Sequence, residues 1–493
     1  MPDFPGGTLP RQAGDSTLAA SPTTPMSLRK TKLICTLGPA TSAPEVIRSL
    51  ITAGAGIFRL NMSHAAHDWV REIVATVRSE AASLGVEVAT LVDLQGPSIR
   101  TGDVEGKLAL KRGDLVEFRN ADLSPTRALS VTTNYEGLHG DLREGDVMLV
   151  DNGELHFRVT RIEPGRVVGE VLTDGEMGSR RHINLPGILV HLPVLTEKDE
   201  RDIALAASIG ADFVAISFVR DAAHVALLRE KLRALGSQAS IVAKIEDQEA
   251  VKHLAGIVTE SDAVMVARGD LGIEVHLEEL PVVQRRIVAE CARIGRKVIV
   301  ATHMLESMVE NPVPTRAEVT DVANAVFEQA DAIMLSGETS VGRYPVKCVE
   351  TLDRIARRIE REPVAGCSAT LELKSEKEQL VRSAVLLAAS LERSSLLVFT
   401  ARGVLANVAA NLRPGRAPIF AFSPDAAVVR SLVMNRAVLP VRFDLAADPA
   451  ENTRLALAWL REKGLVEAGD PVVIVSDVLL PGFDNGAVLL RHA

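Results

Sequence analysis

The sequence predicts an α/β protein: a (β/α)8 TIM barrel, interrupted by an inserted small β-barrel domain and followed by an open α/β domain. Three observations carry that expectation. Short β-branched runs alternate with helix-length amphipathic segments until eight β-then-α units have accumulated, the number a closed parallel barrel needs. The alternation breaks once, over 103–192, where strand-like runs follow at close spacing with Gly and Asp turns between them. Chemistry-bearing side chains recur where the barrel runs end, and the carboxyl ends of parallel strands are where such barrels build their sites.

Composition supports a chain of several cores. At 493 residues it exceeds one hydrophobic core, and about three domains are expected. Aromatics are only 3% against 47% apolar residues, so Val, Ile, Leu and Ala must fill the cores, as in parallel sheets covered by helices. The formal net charge of −9, with no basic stripe, argues against a nucleic-acid partner, so local cations and metal must capture any anionic substrate. Cys35, Cys291, Cys348 and Cys367 form no C-x-x-C pair and no metal-ligand spacing, which suits reduced thiols in a cytoplasmic protein. No run reaches the ~18 apolar residues of a membrane span, and the N-terminus lacks the order of a signal peptide. A soluble, cytoplasmic protein without a membrane partner is expected. Residues 1–28, rich in Pro, Gly, Ser and Thr, read as a disordered tail.

In chain order, the first part of the barrel spans 29–96, with strands at 32–36, 56–60 and 88–93 and helices at 45–53 and 67–84. The inserted domain spans 97–193, with strands at 107–110, 115–118, 147–150, 155–162 and 166–172. The barrel resumes over 194–362: strands at 213–216, 241–243, 263–267, 298–301 and 332–335, and helices at 198–208, 221–235, 248–257, 280–294, 318–328 and 346–359. A polar linker, 363–375, opens the C-terminal domain of 363–493, where four helices (376–391, 404–411, 426–433, 451–463) alternate with strands at 396–399, 419–422, 438–441 and 472–475. It contains neither G-x-G-x-x-G nor G-x-x-x-x-G-K-S/T, so subunit contact and regulation are its expected work.

Residues 241–274 hold the densest chemistry. The runs 241–243 and 263–267 stop at charged residues, Lys244 and Glu246 after the first and Arg268, Gly269 and Asp270 after the second. Glu246 and Asp270 offer two hard oxygen ligands, which suit one magnesium (or manganese) ion with a substrate phosphate and water at its other positions. Lys244 is expected between the two. At about 4 Å and an effective dielectric of about 20, each unit-charge repulsion costs on the order of 4 kcal/mol, so a lysine beside that ion calls for a phosphoryl group to share. The plainer alternative is a strand-end lysine paired locally with Glu246 and an ordinary surface Asp270. Polar residues that merely mark strand ends do not account for the convergent set of Thr36, Arg59, Asn61, Asp93, Ser217, Lys244, Glu246, Asp270, Thr302 and Ser336, which suggests phosphoryl or enolate chemistry on a small anion.

Nine strings in order, T-K-L-I-C-T-L-G-P-A-T, R-L-N-M-S-H, D-L-Q-G-P-S-I-R-T-G, N-L-P-G, A-K-I-E-D, M-V-A-R-G-D-L-G, A-T-H-M-L-E-S-M, P-T-R-A-E-V-T-D-V-A-N-A-V and M-L-S-G-E-T-S-V-G-R-Y-P, resemble pyruvate kinase between Thr31 and Pro345. That resemblance implies transfer of the phosphoryl group of phosphoenolpyruvate to ADP, giving ATP and an enolpyruvate that is protonated to pyruvate, by a glycolytic and expectedly homotetrameric enzyme. It implies roles residue by residue. Glu246 and Asp270 bind magnesium; Lys244 stabilises the phosphoryl in flight and the enolate oxygen; Arg59 holds the phosphate. Gly269 and Asp270 present backbone N–H groups to the substrate carboxylate. Thr302 stands beside the methylene carbon, with Ser336 and Glu338 behind it as a proton relay. Asn61, Ser63, His64, Arg100 and, on the inserted domain, Arg181 contact the nucleotide, while Asp151 and Asn152 resemble the inserted domain's hinge-facing tip.

Two departures from the family pattern carry expectations. Asn61, Ser63, Asp93 and the Leu94 carbonyl suit a potassium cage. Leu94, Gln95 and Ser98 nevertheless stand where potassium-requiring members carry Thr, Lys and Glu, and potassium-independent members place Lys at the Ser98 position, so potassium is expected to stimulate without being required. The family's sugar-phosphate loop, rich in Ser and Thr, reads F-T-A-R-G-V-L-A-N here and keeps only Thr400 of that hydroxyl set. Fructose 1,6-bisphosphate is therefore expected to activate poorly, with Arg402 left for a monophosphate or nucleotide. The competing functions are another magnesium barrel acting on pyruvate-like ligands, which needs neither the inserted lid nor Arg59 and Arg100, and a non-catalytic phosphoenolpyruvate binder, which predicts loss of Lys244 or a metal carboxylate.

Overall fold

The computed structural model describes residues 28–188, 190–362, 371–476 and 487–493. The expected tail and most of the expected linker lie outside the described residues. Eight parallel strands close a ring: Lys32–Thr36, Ile57–Asn61, Ala89–Asp93, Phe213–Ile216, Ser240–Ile245, Ala263–Ala267, Lys297–Ala301 and Ala332–Leu335, the last pairing back on the first. The third strand pairs directly with the fourth, Leu91 opposite Phe213, so the insertion leaves the ladder intact. Alternation along each strand splits the apolar residues. Ile34, Ile57, Leu91, Phe213, Val242 and Met265 fill the ring, while Leu33, Cys35, Phe58 and Val92 face the helices.

Two helix boundaries differ from expectation for local reasons. The helix expected over 248–257 is two, Gln248–Lys252 and Leu254–Glu260, meeting at His253, whose ring is tied to the Arg220 carbonyl at 3.1 Å. The helix expected from 318 begins at Arg316, because Thr315 and Glu318 form a capping box and satisfy amide groups that the first turn leaves free.

The inserted domain is a six-stranded sheet with a separate two-stranded ribbon around its own core, where Phe118 and Phe157 meet edge to face at 5.1 Å. Three short strands escaped the sequence pattern: Ser130–Thr132, Gly175–Met177 and Ile183–Asn184. The C-terminal sheet has four parallel strands and a fifth, antiparallel edge strand, Ala487–His492, that the sequence pattern also missed.

The C-terminal domain docks on the barrel's amino-terminal face. Val433 and Met434 join the residues that fill the ring. Around this plug, Arg413 Nη2 lies 2.6 Å from Asp331 Oδ2 with both side chains buried, Arg430 pairs with Asp212 at 2.7 Å, and Lys32 Nζ donates to the Val438 carbonyl at 2.5 Å. With that end filled, the carboxyl end is the open one.

Candidate active site

The carboxyl ends of the strands deliver one cluster. Arg59, Asn61, Ser63, His64, Ser98, Arg100, Lys244, Glu246 and Asp270 line a single pocket of about 220 Å³. Lys244 is nearly buried, its side chain 12% exposed, which corrects the expectation of Lys244 between Glu246 and Asp270: it lies between Glu246, with Nζ 2.8 Å from Oε1, and Asp93, 3.5 Å from Oδ1. It also donates to the Ser217 hydroxyl at 2.7 Å. Burial alone would lower its pKa, but Asp93, Glu246 and Asp270 together raise it, so the ammonium stays charged.

Burial first, then the charge of Asp270, pushes Glu246 up to about 7 despite Lys244. Its second oxygen accepts the Phe218 amide at 2.6 Å. The Asp270 side chain has no ion pair or hydrogen bond among the described residues. Two carboxylates on one pocket wall, one of them pushed up partly by the charge of the other, fit a hard divalent cation held with two protein ligands. Among the described residues no group of three or more His, Cys, Asp or Glu forms a self-sufficient metal site, so water and substrate must complete its shell.

On the other side, Arg59 Nε donates to Asp93 Oδ2 at 2.6 Å and Arg59 Nη1 to Thr36 at 3.0 Å. Asp93 is thus bracketed by two cations. Burial opposes its ionisation, and Lys244 and Arg59 outweigh it and hold its pKa below the usual range.

Thr302, His303 and Phe218 take left-handed backbone, with φ 65°, 53° and 54°, a region that the β-branched Thr302 adopts at a cost of roughly 1–3 kcal/mol. Buried Arg268 holds Thr302 in place through the carbonyls of Ala301, at 3.1 Å, and Thr302, at 2.5 Å, while pairing with Asp321 at 2.7 Å. The Thr302 hydroxyl consequently accepts the Gly269 amide at 2.8 Å, a donor that a bound carboxylate could take over. The expected relay is not joined by direct hydrogen bonds among the described residues. Glu338 spends its oxygens on the amides of Leu305, at 3.0 Å, and Ser336, at 2.7 Å, and the buried Ser336 hydroxyl has no partner.

Arg181 lies apart from the pocket, on the inserted domain, 3.2 Å from Asp151. Asp151 and Asn152 form a left-handed tip, with φ 57° and 55°, beside Gly153, where a Cβ would come 3.6 Å from Ile273 of the barrel. Sequence reasoning missed three contributors. Arg268 was read only as a strand-end charge. His182, in the pocket lining, meets Phe218 edge to face at 6.0 Å, and neither carries a motif signal of its own. A groove of about 510 Å³ lined by Pro39, Trp69, Ser340 and Val341 shares Asn61 and His64 with the pocket; those two residues were read from the sequence, and the groove beside them was not.

A TIM barrel with an inserted β domain beside a lysine, two carboxylates and convergent arginines defines a phosphotransferase. The chain belongs to the pyruvate kinase family: residues 28–349 match the model of the pyruvate kinase barrel domain and 378–485 that of its alpha/beta domain. It is 38% identical to plastidial pyruvate kinase 3, chloroplastic, of Arabidopsis thaliana, over 91% of this chain and 79% of that one. It is 37% identical to a pyruvate kinase of Methylorubrum extorquens, over 93% and 96% of the two chains. A crystal structure of a pyruvate kinase from Cryptosporidium parvum superposes with a TM-score of 0.89 at 32% identity, over 94% of this chain and 96% of that one. The activity is accordingly transfer of a phosphoryl group from phosphoenolpyruvate to ADP, giving pyruvate and ATP.

Proposed function

We propose that Lys244 carries the transfer. The observation behind this is its position: a buried ammonium, charged under all ordinary conditions, facing the same pocket as Arg59, Glu246 and Asp270. Phosphoryl transfer asks the protein for positioning and charge neutralisation more than for covalent help. Lys244 and Arg59 bind phosphoryl oxygens, and Lys244 remains against the enolate oxygen after transfer. Glu246 and Asp270 would hold magnesium or manganese, which supplies further charge neutralisation when bound. The Gly269 amide, freed from Thr302, binds the substrate carboxylate. The Thr302 hydroxyl then faces the methylene carbon, and the unpartnered Ser336 hydroxyl, with Glu338 raised by burial, supports a water-linked path for the proton.

The nucleotide takes the neighbouring groove, its base against Pro39 and Trp69 and its phosphates toward Asn61, Ser63, His64 and Arg100. Arg181 joins when the lid swings over. Asn61, Ser63, Asp93 and Leu94 form at most a weak potassium site, because the Asn61 oxygen accepts the Ser63 amide at 3.2 Å and the Leu94 carbonyl accepts the Ser217 hydroxyl at 2.9 Å. Leu277 and Val282, 75% and 61% exposed on neighbouring turns, suit a contact with a second subunit, as a homotetramer would need. A cytoplasmic location accords with the free, buried thiols of Cys35, Cys291 and Cys348, and no helix among the described residues is long and apolar enough to cross a membrane. The test is a coupled assay following pyruvate from phosphoenolpyruvate, ADP and magnesium; no pyruvate above the enzyme-free rate would overturn the assignment.

A further inference from the structure

We propose that the cleft between the last barrel helix and the amino-terminal edge of the C-terminal sheet binds a small phosphate monoester. The cleft measures about 430 Å³, within the range of small-molecule sites. One wall is the end of the helix Pro345–Ile359 and the residues after it; the other is the start of the strand Ser395–Phe399 and the turn at Gly415 and Arg416. Lys30 reaches across, donating to the Gly415 carbonyl.

Its charge is unlike that of the chain. Five cations, Lys30, Arg357, Arg361, Arg393 and Arg416, line it against two carboxylates, Glu360 and Asp470, in a protein of formal net charge −9. Both carboxylates are engaged. Glu360 accepts the amides of Lys30 and Thr31 at 2.8 and 2.7 Å, and Asp470 pairs with Arg393 at 3.2 Å. Arg357 is tied to Asp353 at 2.7 Å. Arg361 and Arg416 are exposed, and among the described residues neither has an ion pair or a hydrogen bond. The wall that carries Arg416 also contains the buried Ser395 hydroxyl, which has no partner.

Two unpaired guanidiniums, one from each domain, suit a dianionic phosphate, because each planar fork can donate two parallel hydrogen bonds to phosphate oxygens. The sugar or other organic part then lies along Ala417, Pro418 and Leu465. Held this way, the ligand bridges barrel and C-terminal domain. The cleft is at the opposite end of the sheet strands from Thr400 and Arg402, and away from the barrel's catalytic end.

The test is titration calorimetry of the full chain with ribose 5-phosphate, with ribose as the uncharged control. Saturable binding of ribose 5-phosphate and none of ribose are expected. In R361S/R416S the affinity falls at least about tenfold, the minimum for losing charged hydrogen bonds, while turnover without the probe is unchanged. The single variants R361S and R416S fall between. Full affinity in the double variant, or loss of binding in R402S instead, would put the anion elsewhere and overturn the proposal, as would the absence of binding at millimolar ribose 5-phosphate.

Discussion

Lys244 and Glu246 form a buried ion pair, Nζ to Oε1 at 2.8 Å, on the pocket wall that Asp270 shares. Its two halves stabilise one another in the absence of substrate, so removing the lysine has two effects. Lys244→Met is expected to cut kcat by at least about a hundredfold, the cost of losing one preorganised electrostatic stabiliser. It is also expected to lower thermal stability. Lys244 is nearly buried, its side chain 12% exposed, and truncating one member of a buried pair costs roughly 3–5 kcal/mol before relaxation. Glu246, already raised to about 7, offsets part of that by taking up a proton. Steady-state kinetics with circular dichroism melting checks both effects; turnover within a few-fold of the parent chain would remove Lys244 from the mechanism.

A second carboxylate ties lid to barrel. Glu274, at the end of the helix Arg268–Glu274, accepts from Asn184 Nδ2 at 3.3 Å, across from the inserted domain. Burial, only partly countered by that hydrogen bond, raises its pKa from 4.5 to about 7. A carboxyl raised in the folded state keeps a proton that the unfolded chain releases. Its contribution is therefore fully present below about pH 4.5 and is lost as pH rises through about 7. Glu274→Gln removes the titration, and its amide can also donate to the Asn184 Oδ1 that lacks a partner. The variant should match the parent near pH 4.5 and exceed it at pH 8 by an amount on the order of 3 kcal/mol. Melting temperature against pH checks this; parallel curves for the two proteins would contradict it.

The barrel was legible because its strands are doubly covered: apolar runs such as Ala263–Ala267 stop where the βα loop starts, and both signals coincide. Ser130–Thr132, Gly175–Met177 and Ile183–Asn184 were not, since two or three residues in a small sheet carry no period to read. At the site, charged strand-end residues could be read, but their partners could not. Nothing local in the sequence says that Lys244 turns toward Asp93, because that contact depends on barrel register. The strain at Thr302 is likewise a product of packing, enforced by Arg268 at the start of the helix that follows the neighbouring strand. Whether Thr302, Ser336 and Glu338 act in sequence depends on water between them, which residue types alone do not specify.

Fructose 1,6-bisphosphate is expected to activate weakly. At the loop after the strand Ser395–Phe399, the Thr400 hydroxyl is fully buried and accepts the Gly403 amide at 3.1 Å, so the last hydroxyl of the expected phosphate set is turned away from solvent. Ala401 supplies no side-chain donor, and the exposed Arg402 is the one charged side chain of the stretch. Initial rates at subsaturating phosphoenolpyruvate should be nearly unchanged by micromolar fructose 1,6-bisphosphate. A clear activation there would contradict the expectation.

Potassium should stimulate turnover severalfold at most. The cage candidate with a full negative charge is Asp93, and it already faces Arg59 Nε at 2.6 Å and Lys244 Nζ at 3.5 Å. A further monovalent cation there meets two positive neighbours, each repelling it by about 4 kcal/mol at 4 Å and an effective dielectric of about 20, against one carboxylate attraction of the same size. With Glu246 paired to Lys244 and, with Asp270, reserved for the divalent cation, the balance changes only if a further carboxylate is present, and Ser98, whose hydroxyl accepts from Arg100 Nε at 3.3 Å, supplies none. Ser98→Glu should therefore create potassium dependence, while the parent chain turns over with magnesium alone. The measurement is initial rate in tetramethylammonium buffer at saturating magnesium and both substrates, with and without potassium chloride at matched ionic strength. A dependence of about a hundredfold in the parent chain, equivalent to roughly 2.7 kcal/mol, would show that Asn61, Ser63 and Asp93 form an obligatory cation site despite Arg59 and Lys244.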